Sequence, residues 1–463
     1  MRLFVSCLLL SSTLLVNPLC AKAKYVFLFV GDGMGLAQRT LAEFVANSEV
    51  NDKPGIQRLR MNKLPVQTFM HTYNTVSYIT DSAAAATTFA IGKKTYSGSI
   101  GLDGDGSKDS PNLLDIAKAN GLKTGIITNV ALNHATPASF YAREPSRNLY
   151  NKIADSLVAS DLDFVGGGCI RTSKPGTKKP GDYYEIAKKN GFTFHSSNPG
   201  EFKPKAKERD WIMPEDCTSY GDIPYAVDRK DDKPVVLSDY VEMATRSLTN
   251  SKGFFLMVED GKIDWACHSN DAATAALQVL DFDAAVKVAY DFYQRHPEET
   301  TIIVTADHET GGLTLGRTET KYEMHPGHLL KQKISMYELN QVIKGWRETK
   351  PSFDDVLMAV HEYFQIGDFE KESLDKIRNA YNYTFDPALK DKVPQKFLYS
   401  SSEPISITMI ELLAEMSGVA WTTVLHTGVP VPLSAIGVGQ EKFQGMLENT
   451  QVFDGLKAVI EAK

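Results

Sequence analysis

In "EDGKIDWACHSND" an aspartate and a histidine, Asp264 and His268, stand four residues apart. On a helix that spacing puts both on one face. Asp307 and His308 follow an apolar run directly, where the chain must turn and both side chains can enter a cleft. With Asp32 and His426 they make a mixed carboxylate and imidazole set, which suits zinc. Thr136 and Glu259, with Asp32 again, form an oxygen-only set, which suits magnesium. "YITDSAAAATT" adds a different kind of residue: Ser82 opens a row of alanines. It is either a residue of a capped helix start or a nucleophile held at the positive end of that helix. Taken singly, each pair also fits an ordinary solvated surface.

The elements that must carry these residues argue for their convergence. Four short apolar runs read as buried strands: "YVFLFV" (25–30), "KTGIIT" (123–128), "GFFLMV" (253–258) and "TTIIVT" (300–305). Helical patterns at 111–120, 239–250 and 275–296 precede the second, third and fourth. Alternating strands and helices predict an α/β fold, a three-layer αβα sandwich with a central, mostly parallel sheet. Ligands bind such sheets at the carboxyl ends of the strands. Asp32 follows the first strand, His134 and Thr136 the second, Glu259, Asp264 and His268 the third, and Asp307 and His308 the fourth. Four strands thus deliver acids and histidines to one edge.

Six segments, "VGDGMG", "YITDSAAAATT", "NHATPASFYAREPSR", "VEDGKIDWACH", "TADHETGG" and "LHTGVPVP", resemble those of alkaline phosphatases, in that family's order. The resemblance implies a phosphate monoesterase working through a phosphoserine at a site of two Zn²⁺ and one Mg²⁺. One zinc would take Asp264, His268 and His426. The other would take Asp32, Asp307, His308 and the Ser82 oxygen, and magnesium would take Asp32, Thr136 and Glu259. Arg147 matches the arginine that grips the substrate phosphate, a task its planar fork suits. His134 stands where some members have an aspartate near magnesium, and Trp265 where some have a lysine near phosphate. "MHPGH" offers His325 and His328 as competitors for the zinc histidine, but fits no family segment, so His426 is preferred. A phosphodiesterase of the same superfamily is the alternative; such relatives tend to lack the Thr136/Glu259 pair and commonly use threonine as nucleophile. Sulfatases are disfavoured, because no Cys-x-Pro-x-Arg occurs. The family is usually dimeric, so a homodimer is expected, with a monomer as the alternative.

The bulk of the chain agrees. Its 463 residues, 43% hydrophobic and 23% charged, can bury a large core, and a net charge of −7 argues against a nucleic-acid scaffold. Arg2, the apolar run from Leu3 to Val16 and "AKA" at 21–23 read as a leader cleaved before Lys24. The mature chain, 24–463, is then expected to be exported, periplasmic or secreted, without a membrane anchor. It reads as one catalytic domain with insertions at about 201–235 and 318–420, the second a helical, crown-like subdomain. In an oxidising compartment Cys169 and Cys217 can pair, while Cys267 stays free.

Overall fold

The computed structural model describes residues 22–51, 53–173, 178–229, 236–366, 369–386, 388–389, 393–394 and 402–462. The expected leader lies almost entirely outside these residues. The strands, in chain order, are β1 (Tyr25–Gly31), β2 (Val66–His71), β3 (Lys123–Thr128), β4 (Phe164–Gly167), β5 (Phe192–Ser196), β6 (Arg209–Met213) and β7 (Phe254–Asp260). They continue with β8 (Thr300–Thr305), β9 (Glu309–Thr310), β10 (Leu313–Leu315), β11 (Val419–Trp421), β12 (His426–Thr427), β13 (Val431–Gly437) and β14 (Leu447–Glu448).

Ten of them form one sheet in the order β14-β2-β13-β8-β1-β7-β3-β4-β6-β5. All neighbours run parallel except β13, which is antiparallel to both β2 and β8. The four runs read from sequence are the adjacent centre, β8-β1-β7-β3. Every residue of β1, β7 and β8 is buried, which requires cover on both faces. Helices Leu36–Val50, Leu237–Leu248 and Ala272–Arg295 pack together on one face. Ser82–Ile91, Leu113–Ala119, Ala135–Tyr141 and Thr450–Glu461 group on the other.

Within 201–235, expected from its prolines and charges to be an insertion, "RDWIM" enters the sheet as β6, with Trp211 and Ile212 fully buried. Five residues between charged, Pro-containing stretches are too short a run to stand out in sequence. Further along, helices Met336–Thr349, Phe353–Phe364, Lys371–Phe385 and Pro404–Ser417 close a second apolar cluster. That cluster includes Leu41 and Val45 of the first helix and Ala272, Ala273 and Ala276 of the long one. Among the described residues no helix is long and apolar enough to cross a membrane.

Candidate active site

The helix Ser82–Ile91 begins where Asp81 accepts a hydrogen bond from Ala84 N at 3.2 Å, so Asp81 is its N-cap. Ala83 to Ala86 are buried, and their small side chains let the helix approach its neighbour. There Ser139 Oγ donates to Ala83 O at 3.3 Å. Ser82 is thereby fixed in the first turn, with its hydroxyl pointing inward.

Ser82 Oγ lies 3.3 Å from His308 Nε2. The same nitrogen is 3.3 Å from Asp32 Oδ1 and 3.4 Å from Asp307 Oδ2. Asp32 leaves the end of β1, and its N–H donates to Asp260 O of β7 at 3.0 Å; Asp307 and His308 leave the end of β8. Next to this group, His268 Nε2 is 3.2 Å from Asp264 Oδ2 and 3.2 Å from His426 Nε2, and His426 Nε2 is 3.6 Å from Asp264 Oδ1. The His308 and His426 rings stack at 3.5 Å, joining the two groups. Ligand atoms about 2.0–2.1 Å from a tetrahedral metal stand about 3.3 Å from one another. Both groups have that spacing.

The imidazole partners decide which nitrogens face inward. His268 Nδ1 is 2.6 Å from Val424 O, and His426 Nδ1 is 2.8 Å from Thr80 O. A carbonyl only accepts, so each Nδ1 carries a proton and each Nε2 is the atom that faces inward. Burial lowers His268, but the charge and hydrogen bond of Asp264 raise it to about 9, so its Nε2 holds a proton that a metal ion would replace. His308 reaches the same state through Thr310. The Thr310 hydroxyl donates to Asp264 Oδ1, so its oxygen accepts from His308 Nδ1, 3.2 Å away. Lone pairs and carboxylate oxygens facing each other repel unless a cation sits among them. This second layer of partners is what metal-binding histidines need.

A third group, Asp32, His134 and Glu259, offers ligand atoms within 4.8 Å of one another. Thr136 lies against Glu259, and Thr128 of β3 donates to the other carboxylate oxygen. Asp32 Oδ1 and Oδ2, Glu259 Oε1, Asp307 Oδ2, Thr136 Oγ1 and His134 Nδ1 are buried without hydrogen-bond partners. Such orphans are costly in a folded protein unless an ion takes them. Burial pushes the Glu259 carboxyl up to about 8 and Asp307 up to about 7. Burial raises Asp32 as well, with the charges of Asp307, Asp264 and Glu259 adding to it. The donor sets therefore fit divalent cations, both in chemistry and in spacing.

Arg147 borders this cluster. Its Nη1 donates to Asp81 Oδ2 at 3.1 Å and its Nη2 to His134 Nε2 at 3.2 Å. Burial, then the neighbouring Arg147 charge, lowers His134 to about 3, so the imidazole is neutral and can accept. Trp265 meets the His134 ring edge-on at 5.8 Å. All residues expected from the sequence thus fall in one place, and His325 and His328 lie elsewhere, with their rings 5.5 Å apart.

Three things escaped the sequence reading. Thr310 bridges Asp264 and His308, and its backbone pairs with His426 across β9 and β12. Its only signal was a hydroxyl two residues past His308. Asp81 ties the helix cap to Arg147. A second cation, Arg171, stands near His134. Its loop is joined to that of Tyr220 by the Cys169–Cys217 disulfide, with Cα atoms 6.2 Å apart, while Cys267 is free and buried. Elsewhere, His195, Glu208 and Asp210 also cluster, but the Asp210 oxygens already accept from His195 at 2.8 Å and from Ser247.

The alkaline phosphatase family model matches residues 23–167 and 205–462, running through 318–420 and leaving 168–204 unmatched. Alkaline phosphatase 4 of Bacillus subtilis is 31% identical over 438 residues, 93% of this chain and 87% of that protein. The repressible alkaline phosphatase of Saccharomyces cerevisiae is 29% identical, over 95% of this chain and 82% of its own. Among solved structures, the cold-active enzyme of Shewanella sp. superposes with a TM-score of 0.78 at 26% identity, covering 94% and 99% of the two chains. Thermus thermophilus alkaline phosphatase gives 0.79 at 25% identity, covering 96% and 93%. A histidine-to-aspartate mutant of TAB5 alkaline phosphatase, with Mg bound, gives 0.64 at 25% identity, covering 96% and 99%.

Proposed function

The chain belongs to the alkaline phosphatase family of metal-dependent phosphomonoesterases, and we propose that it hydrolyses phosphate monoesters through a phosphoserine on Ser82. The observation that carries this reading is the meeting of Ser82 Oγ, Asp32 and Asp307 around His308 Nε2. We assign one Zn²⁺ to Asp264, His268 and His426, a second to Asp32, Asp307, His308 and Ser82, and Mg²⁺ to Asp32, Thr136 and Glu259, with His134 beside it. Bound there, the cations supply Lewis acidity at the phosphoryl oxygens and favour the ionised form of an oxygen nucleophile.

The chain's own residues do the rest. The N-terminus of helix Ser82–Ile91 favours negative charge, both of the ionised serine and of the incoming phosphate. Ser82 Oγ attacks phosphorus in line, the bond to the leaving alkoxide breaks, and phosphoserine forms. Water then cleaves that ester, returning serine and inorganic phosphate. Arg147, braced by Asp81, presents its remaining N–H groups to the phosphoryl oxygens. The Nδ1 partners of His268, His426 and His308 keep the three Nε2 lone pairs directed inward.

On the same reading the protein is exported, its leader ending before Lys24, and acts as a homodimer. A single catalytic domain carries residues 318–420 as an insertion. The Cys169–Cys217 disulfide accords with an oxidising compartment. The test is kcat/KM for a nitrophenyl phosphate monoester against its diester, with zinc- and magnesium-replete protein at alkaline pH. A strong preference for the monoester, abolished in Ser82→Ala, is expected. A preference for the diester would overturn the reading.

A further inference from the structure

We propose that Arg171 anchors a second anion subsite beside the phosphate site, so that the preferred ester carries another anionic group on its leaving side. The inference rests on the monoesterase reading and narrows it to a substrate class.

Arg171 is held as firmly as a residue of the site. Its backbone N–H donates to Asn133 Oδ1 at 2.9 Å, and its carbonyl accepts from Asn133 Nδ2 at 2.8 Å. Asn133 directly precedes His134 in the chain. At the other end of the side chain, Nη1 donates to the Tyr150 hydroxyl at 3.2 Å. The guanidinium lies 4.5 Å from the centre of the Tyr150 ring and 5.2 Å from that of Tyr220. Both rings stabilise a cation without neutralising it.

No carboxylate pairs with Arg171 among the described residues, whereas Arg147 has Asp81. Arg171 is nonetheless close to the phosphate site. The Tyr220 ring beside it meets Trp265 at 6.5 Å, and Trp265 meets the His134 ring at 5.8 Å. This corner thus holds two guanidinium groups, Arg147, committed to the phosphoryl group in the reading above, and Arg171, without a counterion among the described residues. Tyr220, 46% exposed, leaves this corner open to solvent. A planar fork already held by three contacts is prepared for a carboxylate or a second phosphate.

Two substrate pairs test this, each differing in one distant group, carboxylate against hydroxymethyl. They are 3-phosphoglycerate with glycerol 3-phosphate, and 6-phosphogluconate with sorbitol 6-phosphate. All four are esters of a primary alcohol, so the chemistry at phosphorus is matched. The quantity read is the ratio of kcat/KM, anionic over neutral, for the metal-replete enzyme at low salt. At least one ratio is expected to exceed one in the wild type and to fall about tenfold in Arg171→Gln, with Arg171→Lys intermediate. Added salt should lower the same ratio in the wild type, a readout that needs no variant. Ratios that ignore both the substitution and salt overturn the subsite and leave the monoesterase reading standing. Failure of the wild type to hydrolyse any of the four overturns that reading, and the subsite with it.

Discussion

Replacing Thr310 by valine removes one hydroxyl and keeps the shape. That hydroxyl donates to Asp264 Oδ1 and accepts from His308 Nδ1 at 3.2 Å, so its loss strips a partner from residues of both proposed zinc groups. Both partners are buried, at 4% and 0% exposure, and cannot turn to water instead. A buried polar group left without a partner costs about 1–3 kcal/mol. With His308 Nδ1–H unheld, the proton can move to Nε2, and the lone pair that faces Asp32, Asp307 and Ser82 is lost. Partners of this kind are worth about 10–100-fold in metal affinity. Zinc affinity of Thr310→Val, measured by competition with a chromophoric chelator, is expected to fall by about that factor at both zinc positions. Thr310→Ser keeps the hydroxyl and should hold zinc nearly as the wild type does. Affinity within about twofold of wild type in Thr310→Val would refute the tautomer argument, because valine offers nothing to either partner.

Trp265→Lys adds an ammonium to the Arg147 guanidinium near phosphate, and inhibition by inorganic phosphate should tighten about tenfold, the worth of one charge-assisted hydrogen bond. An unchanged inhibition constant would mean that a side chain at position 265 does not reach the bound phosphate. Removing the metals should make stability depend on pH in a stated direction. Burial raises Glu259 to about 8 and Asp307 to about 7, while unfolded carboxyls lose their protons near 4. Between those values the unfolded chain binds fewer protons, so stability falls with rising pH by about 1.4 kcal/mol per unit for each retained proton. Urea midpoints of chelator-treated protein from pH 5 to 8 should decline relative to the zinc-reconstituted form, and parallel curves would refute it.

Legibility in the sequence followed burial. The central strands β1, β3, β7 and β8 are continuous apolar runs because both sheet faces are covered. β2, "VQTFMH", mixes exposed with buried positions, β4 ends in two glycines, and β13 contains Pro432, so none presents a clean pattern. The site was legible where a chemically demanding residue follows a strand at once, as Asp32 and Asp307 do. His426 was found by its motif alone. Its place depends on β12 pairing with β9, which puts His426 opposite Thr310, 116 positions earlier in the chain. Arg171 and Tyr220 could not be read at all, since a disulfide and ring contacts between loops bring them together. Gly33 was quoted only as part of a motif, yet its φ is +72°, and a side chain there would meet Thr310 Oγ1 at 2.8 Å. The left-handed backbone and the close approach together fix that position as glycine.

His134 is asked to do two things that one imidazole cannot do together. To accept from Arg147 Nη2, its Nε2 must carry the lone pair, which leaves the proton on the buried, unpartnered Nδ1. The nitrogen left for the group with Asp32 and Glu259 is the unpartnered Nδ1; were it to hold the cation it would need the lone pair, and the proton would move to Nε2, facing the Arg147 N–H. A neutral imidazole has one donor and one acceptor nitrogen, so the two states exclude each other. Filling the third metal position through His134 therefore releases one of the two contacts that brace Arg147, and phosphate should bind more weakly as magnesium rises. An aspartate at this position has two acceptor oxygens, one for the arginine and one for the cation, and removes the conflict. Inhibition by inorganic phosphate, measured across a magnesium series, should weaken in the wild type and stay level or tighten in His134→Asp. The same slope in both proteins would mean that His134 keeps its bond to Arg147 throughout.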